Sequence, residues 1–174
     1  MLSSVQDALT RFHHSLPHRQ QDQLYPRAKA IYGSKAQYAT ADNNSPLLLL
    51  AGKNFIQEVT GTFLYYARAI NTTILPALGS ITTQQAAPTE NTMNLVKTII
   101  DYAATHPDTI ITYCSSHMVL SAHRDASYLS ESKARSRAGG HFFMSNDSCI
   151  PANNGAVVTI SQTIKAVMSS AEEA

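Results

Sequence analysis

Hydrophobic residues change their spacing along the chain, and the changes divide it into three stretches. In the first, Val5, Ala8, Leu9, Phe12 and Leu16 recur at three- and four-residue intervals, which predicts a short amphipathic helix over 5–16. Residues 17–52 lose that period. They collect Pro17, Pro26, Gly33, Asn43, Asn44, Pro46 and Gly52, and so read as a linker or extended arm. From 54 to 106 the helical period returns. Phe55, Ile56, Val59, Phe63, Tyr66, Ala67 and Ile70 make one stripe, and Ile74, Leu78 and Ile81 make a second from about Thr73. Pro76 then falls in the first turn of that second helix, where its missing N–H costs little. Thr89 is the expected N-cap of a third helix that buries Met93, Val96, Ile99, Ile100 and Ala103 and ends at His106-Pro107-Asp108.

Beyond 108 the period becomes two. Thr109–Tyr113 and Met118–His123 are β-rich runs on either side of Cys114-Ser115-Ser116-His117, whose serines suit a turn. Ala138–Ser145 and Ala156–Gln162 are two further expected strands, flanked by Gly139-Gly140 and by Pro151-Ala152-Asn153-Asn154-Gly155. After Ile164 the pattern approaches another helix, with Ser169 or Ser170 as its cap. The expected class is therefore α+β: residues 1–53 as an N-terminal helix and irregular arm, 54–108 as a helical segment, and 109–174 as an antiparallel sheet.

Composition narrows the function. With 174 residues, 44% of them hydrophobic, the chain can bury a core. Thirteen basic against 12 acidic residues exclude a polybasic protein that binds chiefly by neutralising phosphates. The basic residues are uneven: Arg11, Arg19, Arg27, Lys29 and Lys35 outnumber Asp7 and Asp22 in the first 40 residues. Cys114 and Cys149 cannot make a disulfide framework and suit free thiols, with a single bridge left open. No run approaches the ~20 apolar residues that span a bilayer, and the N-terminus lacks the features of a secretory signal, so an intracellular chain without a membrane partner is expected.

Few residues carry a chemical signature. His13, His14 and His18 cluster near a helix end and Cys114 and His117 have ligand-like spacing, but neither group has the second pair that a structural zinc site needs. Phe63, Tyr65 and Tyr66 could stack on bases, although their helical spacing favours the core. Asp125 follows an apolar strand, where a carboxylate is costly unless paired or bound to a cation; a turn-forming Asp with Ser127 fits equally well. Lys133, Arg135 and Arg137 precede Gly139-Gly140, either as a solvated hairpin tip or as contacts to phosphate oxygens.

One run goes further. Asp125-Ala126-Ser127-Tyr128-Leu129-Ser130-Glu131-Ser132-Lys133-Ala134-Arg135-Ser136-Arg137-Ala138-Gly139-Gly140-His141-Phe142-Phe143 closely resembles the start of the RNase H domain in copia-type retrotransposon polyproteins. Gln57–Ala69 looks like the helical segment that follows the polymerase palm there, and Asp101–Pro107 and Ile164–Ala171 are similar to the same polyproteins. The likeness is strong over 54–174 and looser over 8–50. It implies thumb and connection helices over 54–108, gripping a template–primer duplex. It implies an incomplete RNase H-like domain over 109–174, a mixed sheet that begins with three antiparallel strands and continues into a helix. The implied chemistry is hydrolysis of RNA in an RNA–DNA hybrid, with carboxylates holding two Mg²⁺ ions about 4 Å apart. Asp125 matches the family's first carboxylate, as catalytic residue and metal ligand.

The departures from that family matter as much. No Tyr-x-Asp-Asp motif occurs in the chain, Arg124 replaces a small hydroxylated residue, and Pro76 replaces an apolar one. The family's second carboxylate, a helical Glu, aligns just beyond Ala174, with Glu173 two positions early. The resemblance therefore implies a polyprotein fragment, cytoplasmic or nuclear, that retains weak Mg²⁺ binding or none and has lost hydrolysis. A non-catalytic nucleic-acid-binding or interaction remnant is the alternative.

Overall fold

Four helices precede a three-stranded antiparallel sheet in the computed structural model, which describes residues 2–24, 45–131, 135–147 and 149–166. The described residues form two compact units that divide between Thr109 and Ile110.

The helical unit contains Leu2–Arg11 (α1), Leu50–Ala69 (α2), Leu75–Gln84 (α3) and Glu90–Thr105 (α4), with a 3₁₀ turn over Thr72–Ile74. Its core follows the expected stripes. Val5, Ala8, Leu9 and Phe12 meet Ile56, Val59, Phe63 and Ala67 of α2, Leu78 and Ile81 of α3, and Val96, Ile99, Ile100 and Ala103 of α4. Full burial of each large side chain contributes about 1.5–3 kcal/mol, so this cluster dominates the stability of the unit. Phe12 and Phe55 meet edge-to-face with centroids 5.7 Å apart.

Helix ends depart from the periodic pattern. α1 stops at Arg11, and His13 takes a left-handed φ of 50°, so the chain turns away and leaves Leu16 68% exposed instead of on the buried stripe. α2 begins at Leu50, and just before it a single bridge ties the chain to the start of α4. Leu48 N–H donates to the Pro88 carbonyl at 2.9 Å and Glu90 N–H to the Pro46 carbonyl at 3.0 Å, forming a bridge between Leu47 and Thr89. Thr89 caps α4 as its residue type demands: its hydroxyl accepts from Thr92 N–H, and the Thr92 hydroxyl accepts from Thr89 N–H. Residues 25–44 of the expected arm lie outside the described residues.

The sheet unit differs most from expectation. Val119–Glu131 (β1) pairs with Arg135–Ser145 (β2), and β2 pairs with Ala156–Thr163 (β3), in the order β1-β2-β3. Thr109–Tyr113 is not a strand. Asparagine side chains instead hold the residues that follow it, Cys114 and His117. Asn154 Oδ1 accepts from Cys114 N–H at 2.7 Å, and its Nδ2 donates to the Cys114 carbonyl at 2.9 Å and to the Met144 carbonyl at 2.8 Å. Asn146 accepts from His117 N–H at 2.9 Å. Tyr113 packs so closely over Gly155 that a Cβ there would stand 2.6 Å from its ring.

β1 is also longer than the apolar run that announced it. It continues through His123-Arg124-Asp125 because each of those residues has a partner in β2, His141, Gly140 and Gly139 respectively. Register shifts interrupt the ladder between Ser127 and Glu131, and again at Phe142/Phe143 of β2, where Val157 of β3 is the extra residue. The expected helix start after Ile164 and its serine caps lie outside the described residues, apart from Ile164 N–H donating to the Ser136 carbonyl at 2.8 Å.

Candidate functional site

The alternation of a strand sorts the candidates onto faces. Residues directly opposite across a ladder share a face, so Ser121, His123 and Asp125 of β1 lie on the face that carries Phe143, His141 and Gly139 of β2. Phe143 is fully buried and anchors that face. The His123 ring stands 5.0 Å from its centroid and the His141 ring 5.3 Å. His141 is further held by its Nε2, 3.2 Å from the Asn154 carbonyl. Arg124 falls on the opposite face with Gly140, so it is a sequence neighbour of Asp125 but not a face neighbour.

Asp125 sits at the middle of the 13-residue β1 rather than at a strand end. It is no turn residue: its Oδ1 accepts from the next N–H, that of Ala126, at 2.8 Å within the strand. Its side chain is exposed, and the residue across the ladder is a glycine, so nothing on β2 crowds it from directly opposite. β1 is an edge of the sheet among the described residues.

The basic candidates divide. Arg135 and Arg137 belong to β2 and not to a hairpin tip. Arg137 is partly buried, and its Nη1 donates to Ser161 on β3 at 3.1 Å, which ties the guanidinium along the sheet. Lys133 lies outside the described residues. The aromatic trio divides too. Phe63 and Tyr66 are core residues meeting edge-to-face at 6.2 Å, whereas Tyr65 is 79% exposed on the outer side of α2 beside Leu64 and Arg68.

Chemically, this face offers one exposed carboxylate and two imidazoles around a phenylalanine. Among the described residues no three His, Cys, Asp or Glu side chains converge on a point where a metal ion could sit. Cys114 and Cys149 are free and exposed. No described helix is long and apolar enough to cross a membrane. The sequence reading missed His123 and His141 as face-mates of Asp125. Alternation signals the first pairing, but His141 joins only through the β1–β2 register.

No family model, curated protein or solved structure matches the chain.

Proposed function

We propose that this chain corresponds to the connection helices and the opening strands of the RNase H domain of a copia-type reverse transcriptase/RNase H polyprotein, and that it is catalytically silent as it stands. The observation that carries this reading is the ordered likeness of Asp125–Phe143 to the start of that domain. Two features support it. Helices precede a meander of three consecutive antiparallel strands, the order that the likeness implies. The residue matching the family's first carboxylate is exposed at the middle of an outer strand, with a glycine opposite.

The parent reaction cleaves RNA in an RNA–DNA hybrid, and Mg²⁺ supplies the activated water and the charge stabilisation. The described residues do not fit such a metal pair. Mg²⁺ requires near-octahedral oxygen ligation and keeps its waters unless several carboxylates converge, and Asp125 has no convergent acidic partner among the described residues. Its own role is reduced to that of an exposed anion beside two imidazoles. The positive charge of Arg137 is drawn toward Ser161.

The test uses a labelled RNA–DNA hybrid with Mg²⁺ and two proteins: the 174-residue chain, and a version extended by the family's next helix and its downstream carboxylates. The extended protein is expected to cleave and to lose cleavage on Asp125→Asn, while the shorter chain does neither. Asp125-dependent cleavage by the shorter chain would overturn the silence. An extended protein that neither cleaves nor binds the hybrid would overturn the family reading. Salt-dependent duplex binding without cleavage by either protein would establish the remnant reading in its place.

A further inference from the structure

α2 turns Ile56, Val59, Thr60, Phe63, Tyr66 and Ala67 toward the core. The helical repeat places Leu50, Asn54, Glu58, Gly61, Tyr65 and Arg68 on the opposite face, and all six are exposed. A helix face that meets only water is ordinarily polar. This one carries Tyr65, 79% exposed, and Leu50, 73% exposed. Around Tyr65 the surface forms a shallow groove lined by Gly61, Leu64, Arg68 and Ala69. Gly61 keeps that groove open, and nothing inside the chain explains a glycine there: a Cβ would meet none of the described residues within 4 Å. A glycine in mid-helix is nevertheless destabilising relative to alanine. The charges are arranged end to end. Glu58 and Arg68 lie on either side of the Gly61 and Tyr65 positions, about 15 Å apart along the axis. Arg68 has no acidic partner among the described residues, and Glu58 meets Arg11 loosely, at 3.9 Å, with both side chains more than half exposed.

We propose that the outer face of α2 is a dimer interface for a second copy of this chain, packed antiparallel with its two-fold axis at the level of residue 63. Residue 63 is the midpoint between Gly61 and Tyr65, and it is also the midpoint between Glu58 and Arg68. One axis therefore seats each Tyr65 over the partner's Gly61 and brings each Arg68 to the partner's Glu58, and the symmetry makes both contacts twice. A parallel pairing would instead set Glu58 against Glu58 and Arg68 against Arg68. The partner's tyrosine gives Gly61 the purpose that it lacks within one chain, because a side chain there would occupy the seat. Tyrosine and arginine are also the residue types that dominate interface energetics. α2 is about 30 Å long and about 10 Å across. Pairing two such faces buries less than about 1,200 Å² in total, at the low end for specific association. The dimer is accordingly weak and reversible, with a dissociation constant of about 100 µM.

Sedimentation equilibrium of the full chain at low ionic strength, from about 10 µM to about 1 mM, measures the association. Tyr65→Ala is expected to weaken it at least about tenfold. Gly61→Gln is the variant that does not endanger the fold, since the position is open and glutamine is the better helix former. It is expected to keep or raise the thermal midpoint while weakening the dimer about tenfold, because it fills the seat of the partner's tyrosine. Charge reversal fixes the register. Glu58→Arg and Arg68→Glu, each alone, set like charges against each other and are expected to weaken association about tenfold. An equimolar mixture of these two variants is expected to pair about as tightly as the parent, because both contacts of the mixed dimer then join an arginine to a glutamate. A chain that stays monomeric at about 1 mM would leave this face to a partner of other chemistry and overturn the proposal. So would a dimer that Tyr65→Ala and Gly61→Gln leave intact, or a mixture that associates no more tightly than its two components.

Discussion

Asn154→Ala tests the feature that most separates the sheet unit from a simple hairpin. The Asn154 side chain makes four hydrogen bonds. Its oxygen accepts from Cys114 N–H at 2.7 Å and from Gly155 N–H at 2.9 Å; its nitrogen donates to the carbonyls of Cys114 at 2.9 Å and Met144 at 2.8 Å. One side chain thus supplies the donor and acceptor that a neighbouring strand would have offered residue 114, and joins them to β2. At a net 0.5–1.5 kcal/mol each, four bonds set a ceiling of about 6 kcal/mol. The two to Cys114 are exposed, and water can replace them; the two to Met144 and Gly155 are partly buried, which lowers the expected loss to about 2–3 kcal/mol. Denaturant unfolding followed by circular dichroism measures the loss, and exchange of the Cys114 amide locates it. Asn154→Asp sharpens the test. It keeps both acceptor bonds but points an acceptor at two carbonyls, so it is expected to cost at least as much as alanine. A loss below about 0.5 kcal/mol for alanine, or an Asp variant as stable as the parent, would refute the claim that this side chain substitutes for a strand.

Two further substitutions probe the helical unit. Thr89→Ala removes one half of the reciprocal cap on α4 and is expected to cost about 1 kcal/mol in thermal unfolding, with Thr89→Ser close to neutral; an alanine variant as stable as the parent would show that the cap does not matter. Tyr66→Phe removes a buried hydroxyl that has no hydrogen-bond partner among the described residues and is expected to be neutral or to stabilise by up to about 1 kcal/mol, whereas a loss above about 1 kcal/mol would show that the hydroxyl is bonded.

The sheet also explains which of its residues stay wet. Val157 is 57% exposed and Val158 49%, beside the irregularity that sets β3 one residue out of step. Met118 and Leu120 are 68% and 62% exposed at the start of β1. A period-two pattern announces that one face will be apolar; it does not say whether anything will cover it.

Local chemistry was enough to determine the helices of this protein. A 3.6-residue stripe needs no knowledge of the fold to select its buried face, so Ile56, Val59, Phe63, Ile74, Leu78, Ile81, Val96, Ile99 and Ile100 were legible as core. Thr89 as a cap and Pro76 in a first turn were legible for the same reason, because the requirement is confined to one turn of backbone. Asp125 could be singled out as an odd carboxylate in an apolar run, but its neighbours could not. Only the β1–β2 register puts a glycine opposite it and places His141 beside His123 around Phe143, and register depends on pairing across 16 or so residues of chain. The same limit hid the tether of Cys114 to Asn154, 40 positions away, and the pairs that His14 and His106 make with Asp101 and Asp22, 87 and 84 positions off. Periodicity reports which side of an element is buried; which groups meet is decided by contacts distant in sequence, and those exist only once the chain has folded.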